Sequence, residues 1–400
     1  MDASWKKEAS EDEIDSYIDV LYDEKDTSSD VRKAAMDLYL KLALKDVKDG
    51  KNTMVSPLSF FTAMGLLENG AKGATLEEIE KAFGLDIETF NKWYDAWSKM
   101  IMLNGGDTLK MANSVWYRAD PTLDVSEDYL KKMAEIYEAQ AFEAPFDQQT
   151  LNDINGWVND NTDGMIPQVL DNISKGAMMF LINATCFEGG WLQKYEDDQI
   201  MEDQTFTRDD GTEDKAVMLS STEDTYYEND YFTGTSKAYE NGYNITFLLP
   251  KEGVALADAV ENLDGGSLND LYYNGEHAEV DLYIPEFGFD YKAPDCIGSL
   301  NDMGIETVFD ENNADLSDMA VCNDGSNLFV NLIIHKTHVE LDREGTKAAA
   351  ATVIGIAKNT AMPMERPKRE VRLDRPFAFI ISDSQTNTPI FIGTVGSISE

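Results

Sequence analysis

Glu344-Gly345-Thr346-Lys347-Ala348-Ala349-Ala350-Ala351-Thr352 is a run of small residues led by a glycine, and its reading decides the fold. It follows a strand-like segment directly, and the chain then stays free of proline through Ala361. Glycine can act as a hinge, small side chains can enter a crowded sheet, and without proline every backbone N–H can join a ladder. The segment reads as a loop able to become a strand. Taken by itself it fits an Ala-rich linker or a helix as well, because alanine favours helix.

The segments around it narrow the choice. Strand patterns stand at 178–188, at 243–249 and along 328–341, a run without Gly or Pro. Phe377 to Ile381 and Ile390 to Val395 flank a polar turn and read as a closing hairpin. Helical periodicity covers 31–49, with Val31, Ala35, Leu38 and Leu42 on one face. Ser56-Pro57 opens a nearly all-apolar helix to Leu67, with proline in its first turn. Thr75-Leu-Glu-Glu78 reads as a capping box, and Tyr129–Tyr137 and Ile154–Val158 predict two more helices. Helices and strands alternate irregularly, which predicts an α+β fold rather than a βαβ repeat.

Length alone suggests two or three domains for 400 residues. No linker, repeat or low-complexity stretch follows the N-terminal tail, however, so 31–400 reads as a single domain. Residues 1–30 are dense in Asp, Glu and Ser and read as an acidic N-terminal extension, a solvated tether or frayed helix. A net charge of −42 repels phosphates and argues against nucleic acid, while it attracts a cationic partner. Cys186, Cys296 and Cys322 form neither a disulfide framework nor a metal-ligand pattern. No apolar run spans a bilayer, and the first residues carry no apolar core of a secretion signal.

In order along the chain stand Met54-Val-Ser-Pro-Leu-Ser-Phe60, Gly70-Ala-Lys-Gly-Ala-Thr75, Ile154-Asn-Gly-Trp-Val158 and Asn183-Ala-Thr-Cys-Phe-Glu-Gly-Gly-Trp191. Then come Ile284-Pro-Glu-Phe287, His335-Lys336, the Glu344–Thr352 run, Arg375-Pro-Phe377 and Phe391-Ile-Gly-Thr-Val395. Each block is weak alone, but their order and spacing are specific. Over residues 32–396 the chain resembles a serpin. The resemblance implies an α+β serpin fold of about eight to nine helices and three β-sheets, with an exposed reactive-centre loop near 343–367. It also implies a suicide inhibitor of a serine protease, in which loop cleavage is followed by insertion of the loop into a sheet.

On that resemblance the hinge comprises Glu344, Gly345, Thr346, Ala348, Ala349, Ala350, Ala351 and Thr352. Side chains of an inserted strand alternate between faces. Only the phase Thr346, Ala348, Ala350, Thr352, Ile354 and Ile356 is free of charge, so it takes the interior. Burying its two isoleucines would contribute roughly 3–6 kcal/mol. The family usually places glutamate where Arg343 and Lys347 stand here; Lys347 falls on the solvent phase, and Arg343 is expected to weaken the hinge's attachment. The resemblance assigns Ser56, Ser59, Asn183 and His335 to the shutter, where strands part, and Trp191 to the breach, where the loop first enters.

The family spacing puts the scissile bond at Asn359–Thr360, with Lys358, Ala357, Ala361 and Met362 as alternative specificity positions. Asparagine suits a legumain-type cysteine protease, lysine a trypsin-like enzyme, and the small or apolar neighbours an elastase- or chymotrypsin-like one. After the bond, Arg366, Lys368, Arg369 and Arg372 make the chain locally basic, and the expectation for them is a solvated edge.

Two other classes stay open: a non-inhibitory carrier or binding serpin, and an unrelated enzyme. Against the enzyme, the only histidines are His277, His335 and His338, and no nucleophile elbow, Walker loop or His-Glu-x-x-His helix occurs. No catalytic residue, cofactor or metal is expected. The expected partner is a target serine protease, with no nucleic acid and no membrane span, and the expected state is a monomer. The expected compartment is extracellular or the cell surface, with the cytoplasm as the alternative. The acidity and the lack of a disulfide framework fit a bacterial source.

Overall fold

The computed structural model describes residues 9–23, 26–103, 108–346 and 366–399. Among these are ten α-helices and four β-sheets, an α+β arrangement. The chain divides into two compact units, each assembled from separated stretches of sequence.

The first unit comprises Met1–Leu42, Val55–Cys186 and Lys292–Thr337. Its inner helix, Pro57–Glu68, is capped by the Ser56 hydroxyl, which accepts from the Ser59 N–H. Proline at the first position costs the helix nothing, because that N–H has no intrahelical partner. The helix is apolar on nearly all sides and correspondingly buried. Strands Gln140–Ala144, Leu109–Arg118 and Met179–Phe187 form a three-stranded sheet in that order. Ile154 and Val158 of helix Gln148–Asn161 pack with Trp116, Phe146 and Ile182 in one apolar cluster. Each such buried side chain is worth about 1.5–3 kcal/mol.

The acidic N-terminal extension contains a helix, Glu11–Leu21, begun by a reciprocal capping box between Ser10 and Glu13. Leu21 is buried, its carbonyl accepts from the Ser28 hydroxyl, and that hydroxyl accepts from the Trp93 indole. Thr75-Leu-Glu-Glu78, by contrast, is not a capping box. Helix Gly73–Phe83 starts two residues earlier and has Lys72 as its N-cap, without a side-chain bond. Thr75 instead accepts from the Asp315 N–H, and Glu78 accepts from Glu306 and Thr307, so tertiary donors have replaced local ones.

The second unit comprises Ala43–Met54, Phe187–Tyr291 and His338–Glu400. Its main sheet has nine strands. Starting from one edge they run Thr53–Val55, Pro389–Val395, Phe377–Asp383, Tyr243–Pro250, Phe232–Ala238, Glu213–Glu228, Glu276–Pro285 and Lys368–Arg372. Ile200–Thr207 pairs beside Glu213–Glu228. The hairpin Phe377–Asp383 with Pro389–Val395 is buried throughout, as its unbroken apolar runs predict. The chain's end is fastened by Asp214, whose carboxylate accepts from Arg208, Ser397, Ser399 and the Ile398 N–H.

The long apolar run 328–341 becomes a strand only from Lys336 to Asp342. Residues 327–335 join no ladder, and Leu332 is 48% exposed. Beside them lies a cavity of about 220 Å³, lined also by Met64, Leu67, Ile182 and Asn183. Apolar patterning identified the segment's extended character but not whether a neighbouring strand would be there.

Candidate functional site

The hinge is built from the chain reversal after strand Lys336–Asp342. The Asp342 carboxylate accepts from the N–H groups of Glu344 and Gly345, at 2.7 and 3.2 Å, which closes a tight turn. Gly345 and Thr346 then form a two-residue strand paired antiparallel on both sides. Leu341 faces Thr346 on one side, and Gly189 faces Thr346 on the other. Gly345 has φ +148°, a backbone that favours glycine, and a Cβ there would lie 2.1 Å from the Gly189 carbonyl oxygen. Only glycine fits.

Thr346 is buried, and its hydroxyl shares a 2.5 Å hydrogen bond with the Tyr239 hydroxyl. Trp191 is fully buried beside it. Its backbone N–H donates to the Glu344 carbonyl at 3.1 Å and its indole N–H to the Asp342 carbonyl at 2.9 Å. The indole stacks on the Tyr239 ring at 4.5 Å, nearly parallel. The Glu344 carbonyl of the hinge and the Asp342 carbonyl just before it are thus held by one tryptophan.

Arg343, expected to weaken this attachment, meets an acidic partner. Its backbone N–H and its guanidinium Nε both donate to Glu286 Oε1, at 3.2 and 3.0 Å, and the second guanidinium nitrogen reaches Oε2 at 3.4 Å. Arginine where the family usually has glutamate is compatible because an acidic partner stands opposite it.

In the first unit, His335 Nε2 accepts from the Ser56 N–H at 3.0 Å, and the Phe60 ring meets the imidazole edge-on. Accepting at Nε2 fixes the neutral tautomer with its proton on Nδ1. Burial pushes the imidazole pKa down to about 4. Ser56 and Ser59 meet through the helix cap described above. Asn183 bonds elsewhere: its amide donates to the Asn113 side-chain oxygen at 2.8 Å, and its oxygen accepts from the Thr185 hydroxyl. Asn113 in turn donates to the Tyr137 carbonyl. His335 and Asn183 therefore line the same cavity without a hydrogen bond between them.

The basic segment is paired, not simply solvated. Along the edge strand, Lys368 meets Glu279 at 2.8 Å and Arg369 meets Glu276 at 2.9 Å. Arg372 meets Asp374 at 3.4 Å, and Arg366 pairs with Asp224.

Among the expected site residues, the structure describes Glu344, Gly345, Thr346, Trp191, Ser56, Ser59, Asn183 and His335. Ala348, Ala349, Ala350, Ala351 and Thr352 lie outside the described residues, as do Ala357, Lys358, Asn359, Thr360, Ala361 and Met362. Sequence reasoning missed Tyr239, Asp342, Asn113 and Glu286. An acid two residues before the hinge is a local turn signal that could have identified Asp342. The others contact the site only through the fold.

A family model described as Serpin (serine protease inhibitor) matches residues 29–398. A serpin-like protein of Thermococcus kodakarensis is 29% identical over 381 residues, covering 92% of this chain and 85% of its own. Leukocyte elastase inhibitor of Equus caballus is 28% identical over 386 residues, covering 91% of this chain and 97% of its own. The crystal structure of the thermophilic serpin tengpin in its native state superposes with a TM-score of 0.83 at 33% identity. That match covers 94% of this chain and 95% of tengpin.

Proposed function

The chain belongs to the serpin family, and from that premise we propose that it is a suicide inhibitor of serine proteases of the elastase, chymotrypsin or trypsin kind. A protease serine oxygen attacks the loop carbonyl carbon, taken here as that of Asn359. The bond to the Thr360 nitrogen breaks, the new amine takes the proton, and an ester joins inhibitor to enzyme. The freed loop then adds to a sheet as a strand. If insertion outruns attack of water on the ester, the protease stays trapped; if water wins, the chain is merely a substrate. The protein is consumed rather than regenerated, so it is not an enzyme.

The observation that supports this reading is the seated hinge. Gly345 and Thr346 already occupy ladder positions beside strand Lys336–Asp342. Continuing that antiparallel register would bring Ala348 opposite Val339, with its side chain on the same face as buried Thr346. Small, uncharged residues on that face let the strand grow without a desolvation penalty.

The net charge of −42 favours a cationic target, so association should slow as salt rises; rates independent of ionic strength would remove that part of the reading. The protein acts as a monomer, outside the cell or at its surface. The test is incubation with elastase-, chymotrypsin-, trypsin- and legumain-like proteases, followed by denaturing electrophoresis and mass spectrometry. A denaturation-resistant adduct with a released peptide starting at Thr360 is expected. A peptide starting elsewhere would move the bond, and an adduct with the legumain-like enzyme alone would change the target class. Cleavage without any adduct would favour a carrier role.

A further inference from the structure

Lys237 is the one buried lysine among the described residues, 2% exposed, and the insertion mechanism as derived above does not use it. It stands on strand Phe232–Ala238, and its side chain projects to the same side as that of Tyr239 two residues on. Its ammonium donates to Glu223 Oε1 at 3.1 Å, and the Ser221 hydroxyl donates to that same oxygen at 2.6 Å. The ammonium also lies 4.7 Å from the Tyr195 ring centre and 5.4 Å from that of Trp191. Trp191 is the residue whose indole holds the Asp342 carbonyl.

These contacts form a continuous path from an ion pair to the hinge. A cation attracts an aromatic face, and the attraction strengthens when both groups are removed from water. An ammonium held by a fixed carboxylate cannot swing away to find solvent. The indole is thereby restrained by both Tyr239 and the cation, in the orientation its N–H needs to reach Asp342. Asp342 forms the turn that places Gly345 and Thr346.

We propose that Lys237, anchored on Glu223, is a positioning residue for loop insertion: it holds Trp191 so that the hinge stays seated between its two neighbouring strands. The seated pair is the nucleus from which the inserting strand grows, so a loosened indole slows insertion relative to hydrolysis of the ester. The kinetic part rests on the inhibitory reading above; the positioning part does not.

Lys237→Met keeps the apolar stem and removes the charge, Lys237→Arg keeps the charge and the partner, and Glu223→Gln removes the anchor. Two quantities are read: amide hydrogen exchange of residues 344–346 together with the Trp191 indole proton, and the moles of inhibitor consumed per mole of protease trapped. In Lys237→Met and Glu223→Gln, exchange at these protons should rise on the order of tenfold, and consumption per trapped protease should rise several-fold. Lys237→Arg should restore both. If Lys237→Met lowers the melting temperature but leaves both quantities at the values of the Arg variant, Lys237 is only a structural residue and the inference fails. If the unsubstituted protein traps no protease, the inhibitory reading fails alone, and the exchange comparison still decides the positioning role.

Discussion

Gly345 carries the tightest constraint in the site. Adding one methyl group would press it against the Gly189 carbonyl at 2.1 Å, in a backbone conformation that disfavours any side chain. Strain of this kind costs about 1–3 kcal/mol. Gly345→Ala is therefore expected to unseat the hinge, raising amide exchange at 344–346 and shifting cleaved protein from trapped complex to free product. An unchanged partition would mean that the seat does not nucleate insertion. His335 supplies the second prediction. Its pKa is about 4 in the native state against 6.5 for an ordinary imidazole, so the native state takes up the proton less readily than the unfolded chain. This contribution to stability is fully present above pH 6.5, declines as pH falls and is gone below about 4, for a total of about 3 kcal/mol. Protonation also removes the Nε2 acceptor from the Ser56 N–H. Unfolding should accelerate through that window, and His335→Gln should flatten that part of the profile; an identical profile would assign the acid sensitivity to other groups. Gly345, His335, Ser56 and Trp191 were legible in the sequence because the family pattern is written in their own identities. Tyr239 and Asn113 were not, since a hydroxyl or amide distant in sequence gives no local sign of what it will meet; Glu286 stands in a family block, but the block does not say that it meets Arg343. Arg343 shows the same limit: the carboxylate that meets its guanidinium, Glu286, is 57 residues away in sequence.

At the scale of elements, periodicity located helices and strands well wherever the buried face was local to the segment. Helix Pro57–Glu68 and the closing hairpin stand close to where their apolar patterns put them. One segment departed from its local signal, and in another a local signal selected the helical alternative. The Thr75 box gave its capping groups to tertiary partners, and the N-terminal extension formed a helix because Ser10 and Glu13 satisfy each other's backbone donors. Run 328–341 departed differently. Its composition suits a strand along its whole length, yet only Lys336–Asp342 is paired. Apart from the Val330 N–H, which donates to Val308, and the His335 carbonyl, which accepts from Ala293, the 328–335 stretch joins no ladder, and Leu332 is left half exposed. Loop insertion would extend the ladder that begins at Leu341 and Thr346 back along this stretch. Amides of 328–335 other than Val330, whose N–H already donates to Val308, should thus exchange freely in the intact protein and become strongly protected after loop cleavage. Equal exchange before and after would mean that the inserted strand, if one forms, does not reach them.

For the whole molecule, the proposed mechanism requires a native state that withholds a strand from its sheet, and such a state would be stable only through a barrier. Its survival would then be governed by an unfolding rate rather than by an equilibrium free energy. Completing the sheet would add backbone hydrogen bonds and bury the face carrying Ile354 and Ile356, worth roughly 3–6 kcal/mol from the isoleucines alone. Repulsion among the carboxylates of so acidic a chain acts on intact and cleaved forms alike, because cleaving one loop bond leaves nearly all side-chain charges in place. The difference in melting temperature between the two forms therefore isolates the strand. Cleavage within 347–365 by any protease that is not trapped should raise the melting temperature by more than ten degrees, since about 2–4 °C per kcal/mol is typical of large domains and the added ladder contributes beyond the isoleucines. Salt should move both forms together and leave the gap intact. An unchanged melting temperature after complete cleavage would exclude insertion, and with it the trap, whatever the fold.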